Sequence, residues 1–138
     1  MQEAHQIRLE IPSATEYVGV VRRAVEGIAR RMNFDSSEVE DLKLAVGEAC
    51  TNAIKHGCPS KFHPFITVIC RVDPLFLEIE IRNSLAGGEP CPSVVAPKEV
   101  REGGMGLYIM DRVMDEVDIT WKDRTAKIRM VKRIKAKT

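Results

Sequence analysis

The chain has 138 residues, a length that fits one compact domain over 1–138 and leaves little room for a second. Its 21 Lys and Arg against 20 Asp and Glu leave a formal charge of +1, so no global field draws it to nucleic acid or to a membrane surface. The opening Met1-Gln2-Glu3-Ala4-His5 has neither a basic n-region nor an apolar h-region, and no later apolar run approaches spanning length, which predicts a cytoplasmic protein.

Gln6 to Ile11 alternates polar and apolar residues until Pro12 stops it, which predicts an edge strand. From Ala14 to Met32 the residues Val18, Val21, Val25, Ile28 and Ala29 recur at helical spacing and predict a first helix. Asp35 with Glu38 forms a capping-box pattern that opens a second helix, and Gly57 is its expected stop. Phe65 to Val72 and Leu75 to Ile81 are β-rich and meet at Asp73-Pro74, the pattern of a hairpin. Ser84 to Gly103 holds three Pro and little periodicity, which marks it as a candidate lid. Gly104 opens a short helix to about Met114, and the β-rich runs Glu116 to Trp121 and Lys127 to Val131 flank a turn at Lys122-Asp123-Arg124.

Trp121 reads as core or rim packing. Lys132, Arg133, Lys135 and Lys137 read as a solvated terminus, because no aromatic residue is interleaved with them. Cys50, Cys58, Cys70 and Cys91 show no C-x-x-C pair and no His at zinc spacing, so free buried thiols are expected. The order β-α-α-β-β-α-β-β lacks the crossover helices of a doubly wound parallel sheet. It predicts an α+β fold, a two-layer α/β sandwich whose mostly antiparallel mixed sheet carries helices on one face.

The second helix carries the most information. At about 100° per residue, Leu42, Val46, Ala49 and Ala53 share one stripe, while Glu48, Asn52, Lys55 and His56 share the adjoining one. Spacing alone is satisfied by a solvated polar face. Cys50-Thr51-Asn52, three poor helix formers in succession, argue that something besides helix stability selects them. His56 reads as a partner for carbonyls at the helix C-terminus. Gly103-Gly104-Met105-Gly106-Leu107 leads straight into a helix, where glycines admit a phosphate to the backbone and free N–H groups favour an anion. A simple loop-to-helix turn explains that cluster equally well.

Together these residues resemble the GHKL ATPase superfamily, and within it the RsbW-type anti-sigma-factor serine/threonine kinases. Glu48-x-x-x-Asn52 with Ala53-Ile54-Lys55-His56-Gly57 is similar to that family's N-box, and Gly103 to Leu107 with Asp111 to Val117 to its second glycine box. Two motifs in the right order are far more specific than either alone, and the resemblance covers nearly the whole chain in element order. The first glycine box of the family reads D-x-G-x-G, where this chain has Asn83-Ser84-Leu85-Ala86-Gly87. Asn83 thus replaces the Asp that accepts from the adenine amino group, and Leu85 replaces the first glycine, which bears on nucleotide affinity and base selectivity.

The resemblance implies Mg-ATP held between helices and a lid. Asn52 would ligate Mg²⁺, Glu48 would be the general base toward a serine hydroxyl, and Asn83, Gly87, Gly104, Met105, Gly106 and Leu107 would contact the nucleotide. It implies an anti-sigma factor with ATP-dependent serine kinase activity toward an anti-anti-sigma protein of the STAS type, a sigma factor as inhibited client, and a homodimer. A non-catalytic GHKL-fold adaptor with weakened ATP use is the alternative. The altered first glycine box favours the adaptor, and the intact Glu48 and Asn52 favour the enzyme. A sensor histidine kinase would need an upstream helical pair, and a gyrase- or MutL-type ATPase a following transducer domain; neither is expected here.

Overall fold

The computed structural model describes residues 5–92, 105–122 and 125–135. Strand β1 (His5–Pro12) lies at a sheet edge, where the missing N–H of Pro12 interrupts no central ladder. A 3-10 turn at Thr15–Tyr17 precedes α1 (Val18–Arg31), so the regular helix begins at Val18 and not at Ala14. No glycine ends α1; Asn33 takes the left-handed conformation at φ 66°, and the Phe34 N–H returns to the Ala29 carbonyl at 3.3 Å. The predicted capping box opens α2 (Ser36–His56): the Glu38 N–H donates to the Asp35 carboxylate at 2.8 Å, and the Asp35 N–H donates to the Glu38 carboxylate at 2.9 Å.

The predicted hairpin forms from β2 (Phe65–Val72) and β3 (Phe76–Ser84), and α3 (Met105–Val113), β4 (Glu116–Lys122) and β5 (Thr125–Arg133) follow. The sheet order is β1-β2-β3-β5-β4, and every pairing among the described residues is antiparallel, so the expected mixed sheet has no parallel pair there. Strand β3 runs on past Ile81 because Asn83 and Ser84 pair with Ile66 and Phe65 on β2. Ser84 is therefore strand and not the start of a lid. After it a 3-10 turn at Ala86–Gly88 closes with the Leu85 N–H on the Glu89 carbonyl at 2.8 Å, and the remainder of the expected lid, 93–103, lies outside the described residues.

Alternation along the strands sorts the sheet into two faces. Leu77, Ile79 and Ile81 of β3 with Ile128 and Met130 of β5 face the helices and join Val21 and Val25 of α1, Leu42 and Val46 of α2 and Met110 of α3 in one core. Helix α2 packs against α1, α3 and β3 together, which is why its buried stripe is wider than an amphipathic surface helix requires. The opposite face carries charge, with Arg71 paired to Glu78 and Glu80, and Arg129 to Glu78, Glu116 and Asp118.

Two expectations are corrected. Lys132 is not solvated: it points to the helix side, is 7% exposed and donates from Nζ to the Val113 carbonyl at 2.6 Å, satisfying the C-terminal end of α3. Cys58 and Cys91 are not free thiols but a disulfide, formed because the end of β3 and the end of α2 meet; Cys50 and Cys70 are free and buried.

Candidate functional site

The C-terminal end of α2 abuts the end of β3 at Gly57. A Cβ there would fall 2.4 Å from both amide atoms of Asn83 and 2.2 Å from the Ala53 carbonyl oxygen, so the close approach requires glycine. Asn52, Ala53 and His56 of α2, Ile81 and Asn83 of β3, and Ala126 and Ile128 of β5 line a tight crevice of about 10 Å³, room for about one water. Its floor is apolar. Yet Asn52 Nδ2, His56 Nε2 and Asn83 Oδ1, from three of its lining residues, are buried without a hydrogen-bond partner among the described residues. Each such atom costs about 1–3 kcal/mol, and all three belong to residues that line this one crevice, which makes its rim the candidate place for a polar ligand. The two amides can each present oxygen or nitrogen by rotating the terminal torsion.

The cavity thus joins Asn52 and Asn83, which are separate in sequence, and adds His56. Glu48 lies one turn back on α2, half-buried, and makes no ion pair or hydrogen bond among the described residues. Gly87 sits in the turn after β3 with φ +80°, a conformation suited to glycine, and open space surrounds it. Met105 and Gly106 form the first turn of α3, Leu107 packs half-buried against the main core, and Gly104 lies outside the described residues.

Within Cys50-Thr51-Asn52 the three residues serve different ends. Cys50 is core, the Thr51 hydroxyl donates back to the Gly47 carbonyl at 2.8 Å, and only Asn52 faces the cavity. His56 Nε2 has no hydrogen-bond partner among the described residues, so that nitrogen does not make the expected bond to a helix carbonyl. Sequence reasoning missed it, along with the apolar floor, because both depend on which strand lies under α2. Gly57 was the available signal: it stops the helix at φ −95°, outside the left-handed range, so its absent side chain matters for space and not for backbone freedom.

Residues 11–132 match the histidine kinase-like ATPase domain family. The chain belongs to that family. This histidine kinase-like ATPase domain is 36% identical over 124 residues to the serine-protein kinase RsbW of Bacillus pumilus (strain SAFR-032), covering 82% of this chain and 76% of the relative. It is 34% identical over 128 residues to the serine-protein kinase RsbW of Bacillus subtilis (strain 168), covering 84% and 78%. A histidine kinase-like ATPase domain binds a nucleotide, and the cavity between α2 and β3 is the candidate place for it. No helix among the described residues is long and apolar enough to cross a membrane.

Proposed function

We propose that this chain binds Mg-ATP in the cleft between α2 and β3, phosphorylates a serine of an anti-anti-sigma protein, and holds a sigma factor inactive. Three unpartnered polar atoms on residues that line one small, mostly apolar crevice between α2 and β3 carry the reading, and the names of the relatives support the kinase class. ATP supplies the transferable phosphoryl group and Mg²⁺ neutralises its charge. The residues fit such a pair: Asn52 offers an amide oxygen to a hard cation that keeps few protein ligands and several waters. Asn83 Oδ1, buried and unpartnered, can accept from a base amino group above Ile81 and Ile128. Glu48, free of ion pairs among the described residues, is available to take the proton of a serine hydroxyl.

Phosphoserine formation decides the matter. Proteins retained from lysate on the purified chain with Mg-ATP are identified by mass spectrometry, and a small single-domain protein and a sigma factor are expected. With the former as substrate, Glu48→Gln should lower phosphotransfer by about 10²- to 10⁴-fold while ATP binding persists. An unchanged rate removes Glu48 from the chemistry.

One observation favours the adaptor reading. Leu85, where the family carries glycine, packs with Cys58, Cys91 and Ala126, so the segment after β3 is occupied by side chains. An adaptor would retain the sigma factor equally with and without ATP and would form no phosphoserine.

A further inference from the structure

We infer that Cys58 and Cys91 form a thiol–disulfide exchange site whose oxidation state sets the geometry of the candidate nucleotide cleft. The inference rests on the nucleotide reading of that cleft for its functional consequence. Cys58 follows Gly57 directly, and Cys91 lies in the segment that continues from Asn83 and Ser84. Their bond spans 33 positions and ties the end of the helix that carries Asn52 and His56 to the chain that leaves the strand carrying Asn83. The two cysteines cluster with Ala126, with Phe62 and Leu85 packed against them, and Ala126 itself lines the cleft. One side chain thus touches both the disulfide and the cavity.

Both cysteines lie outside regular structure. Cys58 sits between α2 and the 3-10 turn Ser60–Phe62, and Cys91 follows the turn Ala86–Gly88, so no helix or ladder holds either one. Among the described residues the apolar packing around the bond is a small cluster, and local opening of such segments admits a small thiol. Cys58 and Cys91 are themselves buried, at 4% and 0% exposed, so exchange at this pair waits on that local opening, whereas the other two cysteines are held inside a helix and a central strand. Cys50 and Cys70 lie in the main core, where burial pushes their thiols up to about 12 and about 11, so they stay protonated and unreactive at neutral pH.

The co-reactant is a low-molecular-weight thiol and its disulfide. In oxidation one cysteine thiolate attacks RSSR, forming a mixed disulfide and releasing one RS⁻. The second thiolate attacks the protein sulfur, forms the Cys58–Cys91 bond and expels the second RS⁻. Two electrons pass to RSSR, and the two protons lost by the cysteines end on two RSH. Reduction is the reverse. With the bond open, the end of α2 and the segment after β3 are free to separate, and the Gly57 approach that seats the Asn83 amide loosens.

The test equilibrates the full chain in buffers of stepped reduced-to-oxidised glutathione ratio, traps free thiols by alkylation and assigns them by peptide mass. Mg-ATP affinity is measured on the same samples, beside a Cys58→Ser/Cys91→Ser variant. Cys58 and Cys91 should exchange together in one two-electron step with far-UV circular dichroism unchanged. Reduction should weaken Mg-ATP binding by at least about fivefold, the lower end of ordinary coupling between sites. The double variant should match the reduced protein and ignore the buffer; if it does not fold, reduced wild type stands in its place. A bond that opens only on unfolding overturns the inference, as does equal, measurable affinity in both states, which leaves the nucleotide reading intact. A chain that binds ATP in neither state overturns the nucleotide reading itself. In that case, amide exchange at Gly57 and Asn83 unchanged by reduction overturns the switch as well.

Discussion

Two glycines of α2 and its cap look alike in sequence and differ in what surrounds them. A Cβ at Gly57 meets a backbone oxygen at 2.2 Å, which cannot swing aside, whereas one at Gly47 meets the tip of the Arg22 guanidinium at 2.5 Å, which can. Gly57→Ala should therefore cost about 1–3 kcal/mol by forced displacement and weaken nucleotide binding with it. Gly47→Ala should be neutral or gain up to about 1 kcal/mol from helix propensity. Urea unfolding of the two variants reads both. Asn83 poses a sharper trade. It is 2% exposed with Oδ1 unpartnered, so Asn83→Asp puts a carboxyl where its charge has no partner and should lower apo-protein stability by about 1–3 kcal/mol. Once adenine is bound, the carboxylate accepts from its amino group with charge assistance and repels a guanine carbonyl. The variant should thus prefer ATP over GTP more than wild type does, which competition titrations measure. Asn83 was legible as a departure from the family pattern, but its burial under Gly57 was not, since nothing local to Asn83 records the helix end beside it.

The outer face of the sheet works as one electrostatic element. Arg71 bridges Glu78 and Glu80, Arg129 reaches Glu78, Glu116 and Asp118, and Arg133 pairs with Glu116. Hydrogen bonds from Arg129 and then Arg133 outweigh the desolvation and hold the Glu116 carboxyl below its ordinary 4.5. A carboxyl with a depressed folded pKa contributes stability that is present above the unfolded pKa and is lost as pH falls through the folded value. Acid destabilisation should therefore set in below about pH 4.5, and Glu116→Gln should flatten that limb of a plot of melting temperature against pH. Because Glu116 faces water, added salt should shrink the difference between the two proteins. The alternation that made these strands recognisable was visible in the sequence; the strand order that sets Glu116 against Arg129 was not.

For the molecule as a whole, the Cys58–Cys91 bond limits the unfolded chain. A closed loop of this size, with a sequence separation of 33, corresponds in the chain-entropy account to about 3–4 kcal/mol. Guanidinium unfolding with and without dithiothreitol should show a lower midpoint and a steeper m-value on reduction, since the uncrosslinked chain exposes more surface. An unchanged midpoint would mean that the pair is reduced without consequence for folding. What the sequence alone determined about this protein is what is written within a few turns or one strand: the capping box at Asp35, the apolar stripe of α2, the hairpin at Asp73-Pro74, and an element order that excludes a doubly wound sheet. Those signals act between near neighbours along the chain, so periodicity and caps express them directly. The tertiary structure decided that α2 ends over β3, that Asn52, His56 and Asn83 open on one cavity, that Lys132 turns inward to α3, and that two of four cysteines bond. Each of these joins residues distant in sequence through the pairing of β3 with β2 and β5, and burial against that sheet, not any local propensity, is the force that brings them together.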